Sequence, residues 1–222
     1  MRPPPPKPEP ITPRILLRAY AAGLFPMAEE ADAEYLHWFD PRERGIFPLD
    51  GLIVSKSLAK AIRAEKFDIR VDTDFGAVLT GCAESRPGRE KTWINKTIAT
   101  LFHELFEMGF VHTVEAWRGD ELVGGLYGLA LGGAFFGESM FHRATDASKI
   151  CLTFLVARLR CGGFSLLDAQ FVTPHLESLG AIEIPRADYL RRLDAALAKP
   201  GDFHALDANA APEAILALAR GA

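Results

Sequence analysis

The chain has 222 residues, of which 49% are hydrophobic and 24% are charged. This balance is typical of a soluble globular protein of one or two domains of ~150 residues, and it excludes disordered, collagen-like and coiled-coil chains. The formal net charge of −4 argues against a globally basic nucleic-acid binder, although a local basic face is compatible with it.

The cysteines and the apolar stretches predict a protein of a reducing compartment. Cys82, Cys151 and Cys161 are too few and too widely spaced for a disulfide scaffold, and no CxxC pair indicates structural zinc. We expect reduced thiols in a cytoplasmic protein. The proline-rich residues 1–10 lack the apolar stretch of a secretory signal. The longest uncharged stretch, residues 122–137, is shorter than the ~20 residues that span a bilayer, so no membrane association is expected.

The beginning of the chain predicts a small N-terminal domain. Thr12 and Pro13 are residue types that start a helix, and Gly23 is a type that ends one. The Asp40-Pro41 step interrupts the following apolar segment, because the residue before proline avoids the helical conformation. We therefore place a domain boundary near residue 45. The expected units are a disordered tail at 1–10, a small N-terminal domain at 11–45, a larger domain at 46–198 and a C-terminal tail at 199–222.

Beyond this boundary, the hydrophobic pattern alternates between helical and strand periodicity. It predicts helices at 55–66, 75–82, 94–108, 145–161, 174–179 and 187–198, strands at 67–71, 111–117, 121–128, 134–141 and 164–171, and a loop at 85–90. A short final helix is expected after Pro212. Strands joined by hairpins and followed by a helix and another strand predict an α+β fold with a mixed α/β sheet.

Three polar residues within apolar strand patterns are candidates for chemistry. Glu138 lies between two phenylalanine-containing segments, where a carboxylate is costly unless it is paired or faces a cavity. Asp168 and Gln170 are two positions apart on a predicted strand and share one face, where the carboxylate can orient the amide through a hydrogen bond. Ordinary solvation at exposed strand ends is the alternative for all three residues.

A second group of residues is suited to contact with nucleic acid. The predicted helix at 55–66 presents a basic face that can attract phosphates, although a charge run is usually a solvated face. Its basic residues are Lys56, Lys60, Arg63 and Lys66. Trp93 is flanked by polar residues and is a candidate stacking platform for a base, with half-buried packing as the alternative.

Motifs of several other chemistries are absent from the sequence. The phosphate-loop patterns GxGxxG and GxxxxGK[ST] and the GxSxG elbow do not occur. His37, His112 and His142 do not have the spacing of metal ligands, so no metal site is expected. The glycine pairs Gly124-Gly125 and Gly132-Gly133 permit close approach by a ligand or another strand.

Nine short segments, taken in chain order, form a pattern that is more specific than any single motif. They are AYAAGLFP (19–26), HWFDPR (37–42), TWI (92–94), VHTVEAW (111–117), ELVGGLYG (121–128), FFGESMF (135–141), DASK (146–149), LLDAQF (166–171) and HLESLGA (175–181). Their order and spacing over roughly residues 12–195 resemble the leucyl/phenylalanyl-tRNA–protein transferase family.

This resemblance implies an aminoacyltransferase. Members of the family move leucine or phenylalanine, and less readily methionine, from aminoacyl-tRNA to proteins with an N-terminal arginine or lysine, in the bacterial N-degron pathway of protein degradation. The resemblance also implies a cytoplasmic enzyme that needs no metal or organic cofactor. Its fold would be a small N-terminal domain followed by a GNAT-like acyltransferase domain at 46–198.

The resemblance assigns roles to individual residues. It implies that Glu138 helps to hold the N-terminal residue of the acceptor, and that Asp168 and Gln170 orient and help to deprotonate the attacking amine. The residues implied to line or neighbour the aminoacyl side-chain pocket are Leu126, Phe135, Met140, Leu152, Leu155 and Leu167. The tRNA-binding set is Trp93, near the 3′ adenosine, with Met27, Trp38, Lys56, Lys60, Arg63 and Lys66.

The chain departs from the family pattern at three positions. Met27 stands where the family usually has tryptophan, His37 replaces the first tryptophan of WWSPDPR, and His142 replaces a serine. Methionine can pack against a base but is a less oriented platform than tryptophan. We therefore expect a shifted affinity or acceptor preference.

Two other functions are compatible with the residues. The first is an acyl-CoA-dependent GNAT-type N-acyltransferase, a class that typically carries a [RQ]xxGx[GA] pyrophosphate loop, to which the sequence has no match. The second is a non-catalytic RNA- or peptide-binding module, in which the three polar residues would be incidental.

Overall fold

A computed structural model describes residues 11–30, 33, 36–84 and 92–221. The predicted tail at 1–10 and the predicted loop at 85–90 lie outside the described residues. The described residues form a seven-stranded mixed sheet with helices on both faces, and a two-stranded sheet in the N-terminal region. The predicted α+β class is confirmed.

The elements follow one another from the first helix to the last. The helices are α1 (Pro13–Ala21), α2 (Lys56–Arg63), α3 (Phe75–Ala83), α4 (Lys96–Glu107), α5 (Ala147–Cys161), α6 (Pro174–Glu177), α7 (Arg186–Leu197) and α8 (Pro212–Arg220). The strands are β1 (Phe25–Met27), β2 (His37–Phe39), β3 (Glu43–Phe47), β4 (Asp68–Arg70), β5 (Val111–Arg118), β6 (Glu121–Leu131), β7 (Ala134–His142), β8 (Leu166–Gln170) and β9 (Ile182–Pro185).

Local signals in the sequence fix several helix ends. The side chains of Thr12, Ser55 and Asn95 each accept a hydrogen bond from the backbone N–H three residues later, which satisfies a donor in the first turn of α1, α2 and α4. Gly23 follows α1 with a φ of +84°, a left-handed conformation that glycine adopts without strain. The predicted start and end of α1 are therefore confirmed.

The large sheet has the strand order β4-β5-β6-β7-β8-β3-β9, and all neighbours are antiparallel except β7 and β8. Strands β1, β2, β3 and β9 lie where the sequence predicts none, because each is five residues or shorter and prolines or charges interrupt its pattern. The domain boundary placed near residue 45 falls within β3, which pairs with both β8 and β9.

Each face of the large sheet carries its own hydrophobic core. Helices α2, α5 and α8 cover one face, which includes Leu126, and helices α1, α3, α4 and α7 cover the other, which includes Tyr127. In the segment expected as a C-terminal tail, α8 buries Ile215 and Leu216 against α5, so this helix is part of the core. Among the residues that the structure describes, no helix has the length and apolar character needed to cross a bilayer.

The glycine pairs allow helices to approach the sheet closely. A Cβ atom at Gly124 would lie 2.5 Å from the Cβ atom of Ala147, at the start of α5. One at Gly132 would lie 2.9 Å from the carbonyl oxygen of Leu197, at the end of α7. The predicted close approach is confirmed for helices and also for another strand, because a Cβ atom at Gly124 would lie 3.2 Å from the carbonyl oxygen of Phe141 in β7.

The two parallel strands separate after a short paired stretch. Ala134, Phe135 and Phe136 of β7 pair with residues 166–168 of β8, and the pairing ends there. Beyond this point, residues 137–140 of β7 and residues 169–170 of β8 line a cavity between the strands. The mixed topology of the sheet thus creates the site that the rest of the fold surrounds.

Candidate active site

The cavity between β7 and β8 has a volume of about 270 Å³ and predominantly apolar walls. Its apolar lining residues include Phe47, Leu126, Met140, Leu152, Leu155, Leu167 and Leu176. Its polar lining residues are Glu138, Ser139, Asp168, Gln170, Thr173 and His175, with Tyr127 at the same cavity. Pockets for drug-sized ligands span roughly 300–1,000 Å³, so this cavity suits a smaller group such as one apolar side chain.

Most residues that the resemblance assigns to the aminoacyl pocket meet at this cavity. Five of the six line it, namely Leu126, Met140, Leu152, Leu155 and Leu167. Phe135 lies in the core of the same sheet face, where its ring stacks on Phe203 with the centroids 5.5 Å apart. Phe135 is therefore not among the lining residues, although it neighbours them in sequence and in the sheet.

Asp168 is fully buried, and four hydrogen bonds hold its carboxylate. Arg44 donates from Nε to Oδ1 over 2.9 Å and from Nη2 to Oδ2 over 2.6 Å. The hydroxyl of Tyr189 donates to Oδ2 over 2.7 Å, and the backbone N–H of Gln170 donates to Oδ1 over 2.8 Å. Because a carboxylate has about four lone-pair sites, these donors occupy Asp168 and suit it to positioning its neighbours.

Gln170 ends β8 in an unusual conformation with an available amide. Its φ of +57° lies in the left-handed region, which is sparsely populated by residues other than glycine and is often found at functional sites. Its side-chain Nε2 is buried and has no hydrogen-bond partner among the described residues. The sequence predicts that this side-chain amide donates a hydrogen bond to Asp168. Instead, the backbone N–H of Gln170 donates to Asp168, which fixes the turn and leaves the side-chain amide for a ligand.

Glu138 combines a protein partner with a position at the cavity. The hydroxyl of Tyr20 donates a hydrogen bond to its Oε1 over 2.7 Å. Burial raises the pKa of Glu138 to about 8, the hydrogen bond from Tyr20 opposes that rise, and the charge of Asp168 adds to it. The carboxyl group is therefore mostly protonated at neutral pH. Glu138 therefore has both a hydrogen-bond partner and a position at the cavity, the two conditions under which a carboxylate is tolerated in an apolar strand.

Tyr127 carries another buried polar atom, and its ring lies on the sheet face opposite Leu126. Its ring meets the rings of Phe75 and Phe102 edge-on, at centroid distances of 5.7 and 5.5 Å. Its hydroxyl is buried without a hydrogen-bond partner within the described part of the chain. Leaving such a group unpaired costs roughly 1–3 kcal/mol. Of these two unpaired groups, the amide belongs to Gln170, which lines the cavity, and it is available to a bound molecule.

The uncharged residues predicted to contact tRNA lie in different places. Met27 and the exposed Trp38 belong to the β1–β2 hairpin, which reaches the end of β8 through an edge-to-face contact between Phe25 and Phe171 at 5.5 Å. Trp93 is half-buried and packs against the core on the α1, α3, α4 and α7 face. The structure therefore places the hairpin beside the end of β8, and the contact of Trp93 with tRNA stays a prediction.

The basic residues of α2 and its C-terminal turn are exposed as predicted, with Leu58 and Ile62 buried beneath them. Two of the four have partners. Arg63 forms an ion pair with Glu213 of α8, with Nε and Oε1 2.7 Å apart, and Lys66 donates from Nζ to the carbonyl oxygen of Thr145 over 3.0 Å. The others, Lys56 and Lys60, complete the basic face. Its binding to tRNA stays a prediction.

Three residues that organise the polar part of the site are missing from the sequence-based candidates. Arg44 and Tyr189 hold Asp168, and Tyr20 holds Glu138. Arg44 lies in a charged stretch after a proline, and such a pattern is typical of a loop. The helical spacing of Leu16 and Tyr20 indicates a buried face of α1, but it carries no information on the partner of the hydroxyl.

Comparison with known proteins gives one consistent result. The family model described as leucyl/phenylalanyl-tRNA protein transferase matches residues 46–194, and the model of its N-terminal domain matches residues 9–42. Three similar proteins carry the name leucyl/phenylalanyl-tRNA–protein transferase. The one from Afipia carboxidovorans is 57% identical over 213 residues, which are 95% of this chain and 94% of that protein.

The other two relatives have a similar identity to this chain and cover a similar share of it. The protein from Cereibacter sphaeroides is 58% identical over 88% of this chain and 90% of its own length. The protein from Paramagnetospirillum magneticum is 59% identical over 87% of this chain and 93% of its own length. The identity extends over the strands and helices that build the cavity, so the chain belongs to the leucyl/phenylalanyl-tRNA–protein transferase family, a family of aminoacyltransferases.

Proposed function

We propose that the chain transfers leucine or phenylalanine, and less readily methionine, from aminoacyl-tRNA to acceptor proteins with an N-terminal arginine or lysine. The observation that carries the proposal is the cavity between β7 and β8, where an apolar wall meets Glu138, Asp168 and Gln170. The reaction would take place in the cytoplasm as a step of the N-degron pathway. Membership of the family supports the reaction class.

The lining of the cavity supports an apolar donor side chain. Leu126, Leu152 and Leu155 face a space of about 270 Å³, which a leucine or phenylalanine side chain can fill. A charged side chain would lose its hydration there without gaining a partner, so it is rejected. One methylene group in an apolar pocket changes binding by only about 1–3 kcal/mol, so similar apolar side chains are separated weakly.

The polar end of the cavity supports aminolysis of an ester. The amine nitrogen of the acceptor forms a bond to the aminoacyl carbonyl carbon, the ester bond breaks, and the 3′ oxygen of the tRNA leaves with a proton. The unpaired Nε2 of Gln170 can donate to the carbonyl oxygen as negative charge develops on it. Asp168 acts as a positioning residue, because its hydrogen bond to the backbone of Gln170 holds that amide in place.

Glu138 is suited to exchange a proton with the acceptor. Its pKa of about 8 is close to the ordinary 7.7–8.0 of an α-amino group, so a proton can move between the two groups at little cost. A cationic acceptor residue beside Glu138 also favours the ionised carboxylate. Orientation of the amine against an already activated ester supplies the remaining acceleration, and the reaction requires no covalent intermediate.

Binding of the tRNA is proposed to use local positive charge and the N-terminal hairpin. The net charge of −4 makes nonspecific attraction of the whole chain weak, whereas the basic face with Lys56 and Lys60 attracts phosphates. The exposed Trp38 lies in the hairpin that touches the end of β8 and can stack on a base near the ester. Replacing Lys56 and Lys60 by glutamate would weaken tRNA binding and reduce its dependence on salt.

The proposal is tested by mass spectrometry of acceptor peptides. The full chain is incubated with Phe-tRNA and three peptides that differ only in the first residue, which is arginine, lysine or alanine. We expect one added phenylalanine on the first two peptides and none on the third. Acetyl-CoA replaces the tRNA in a parallel reaction. Transfer from acetyl-CoA alone would indicate an acyl-CoA-dependent enzyme, and tRNA binding without product would indicate a binding module.

A further inference from the structure

Three potential metal ligands lie together outside the cavity, where the C-terminal segment meets the large sheet. Asp72 follows β4, His112 lies in β5, and His204 lies in the segment between α7 and α8. Each offers one ligand atom, and the three atoms lie within 4.8 Å of one another. These residues are named the Asp72–His112–His204 cluster. None of them lines the cavity between β7 and β8.

The spacing of the cluster is close to that of a tetrahedral site. Bonds of about 2.0–2.2 Å to zinc place neighbouring ligand atoms roughly 3.3–3.6 Å apart. Oδ2 of Asp72 lies 3.5 Å from Nε2 of His204, within this range, and 2.8 Å from Nδ1 of His112, a hydrogen bond that the two atoms would exchange for bonds to the ion. Two imidazoles and a carboxylate are a ligand set that suits zinc and similar divalent ions.

Neighbouring groups orient two of the ligands in advance. The backbone N–H of Thr113 donates to Oδ1 of Asp72 over 2.6 Å, which directs Oδ2 towards the histidines. The ring of His112 stacks on Phe203, with centroids 4.2 Å apart and planes 11° from parallel. Losing a hydrogen bond that orients a ligand, such as the one from Thr113, typically changes metal affinity by about 10–100-fold.

The third ligand leaves the site accessible. The side chain of His204 is 63% exposed, so water can approach the open side of the cluster and supply a fourth ligand. Arg158 donates to the carbonyl oxygen of Phe203 over 3.0 Å and interacts electrostatically with Asp72. Its charge opposes a bound cation, so we expect weaker binding than in a cysteine-rich structural site.

We propose that Asp72, His112 and His204 form a three-ligand site for zinc or a similar divalent ion, which fastens the segment around residues 202–206 to the sheet. The spacing of the histidines in the sequence predicts no metal site, but the fold brings His112 and His204 together with Asp72. The site lies partly beyond residues 46–194, which the family model matches, and it does not depend on the proposed transfer reaction.

The test uses the full chain after treatment with a chelator that is then removed. Zn²⁺ is titrated against a chromophoric competitor, the metal content is measured by elemental analysis, and thermal unfolding is followed with and without Zn²⁺. The His204→Ala variant removes the exposed ligand with little effect on packing. His103→Ala, another exposed histidine, is the matched control, and Cys161→Ser removes the exposed thiol.

We expect one zinc ion per chain, at least tenfold weaker binding in His204→Ala, and unchanged binding in the two controls. Zinc should also raise the unfolding temperature of the parent chain and of the controls but not that of His204→Ala. The proposal is overturned if the parent chain binds no zinc at micromolar concentrations. It is equally overturned if His204→Ala binds as tightly as the parent, or if Cys161→Ser abolishes binding.

Discussion

The protonation state of Glu138 leads to a quantitative prediction about stability. Burial raises the pKa of this carboxyl group from the ordinary 4.5 to about 8 in the folded chain. Between these two pH values, the folded state keeps the proton and the unfolded state has released it. The free energy of unfolding therefore falls by about 1.36 kcal/mol per pH unit through this group alone.

The Glu138→Gln variant isolates this contribution. Glutamine has nearly the same shape, can accept the hydrogen bond from Tyr20 and does not titrate. The contribution of Glu138 is fully present below pH 4.5 and is lost as the pH rises to about 8. Over this interval, the stability of the parent chain relative to the variant should fall by up to about 5 kcal/mol. Water in the cavity lowers this upper bound.

The assay is urea-induced unfolding of both proteins at several pH values between 5 and 9. Other titrating groups contribute almost equally to both proteins, so the difference in the free energy of unfolding reports on Glu138. Because glutamine does not titrate, the free energy of unfolding of Glu138→Gln should increase relative to that of the parent chain as the pH rises. The difference should not change further above about pH 9. If the difference in the free energy of unfolding is independent of pH, burial does not raise the pKa of Glu138, and this carboxyl group ionises in the folded chain as it does in water.

Three further predictions concern the groups around the cavity. Arg44→Met leaves the buried carboxylate of Asp168 without its cation and should lower the free energy of unfolding, measured by chemical denaturation, by about 3–5 kcal/mol. The control Arg186→Met breaks an exposed ion pair and should lower it by at most about 1 kcal/mol. Equal losses would contradict a buried ion pair between Arg44 and Asp168. Leu155→Phe reduces the cavity and should shift donor preference from phenylalanine towards leucine when both aminoacyl-tRNAs compete, and an unchanged ratio would exclude Leu155 from the pocket. Tyr127→Phe removes a hydroxyl without a described partner, so stability should be unchanged or higher, and a loss above about 1 kcal/mol would reveal an undetected partner.

Elements with strong local signals could be predicted from the sequence. The cap at Thr12, the apolar stripe of α2 and the strands predicted at 111–117, 121–128 and 134–141 each agree with the structure. Strand β3 could not be predicted, because its five residues begin with charges and its conformation depends on pairing with β8 and β9. Strand preference is set largely by such neighbours, which a local pattern does not contain.

The candidate site also combines features that could be predicted from the sequence with features that depend on the fold. The resemblance placed Leu126, Leu152 and Leu155 in one pocket, and the structure brings them to one cavity. The partner of Asp168 could not be predicted, because Arg44 is 124 positions away in the sequence. The proximity of His112 and His204 also depends on the fold, since their segments meet only where the chain after α7 returns to the sheet.

The proposed reaction depends on the amide of Gln170 acting on a substrate held in the cavity between β7 and β8. The most direct measurement is the single-turnover rate of phenylalanine transfer from Phe-tRNA to an arginine-initiated peptide by the parent chain and by Gln170→Ala, with thermal unfolding of both proteins as a control. We expect transfer by the parent chain, a rate at least ~100-fold lower for the variant and similar unfolding temperatures. Equal transfer rates for the two proteins would exclude this role of Gln170.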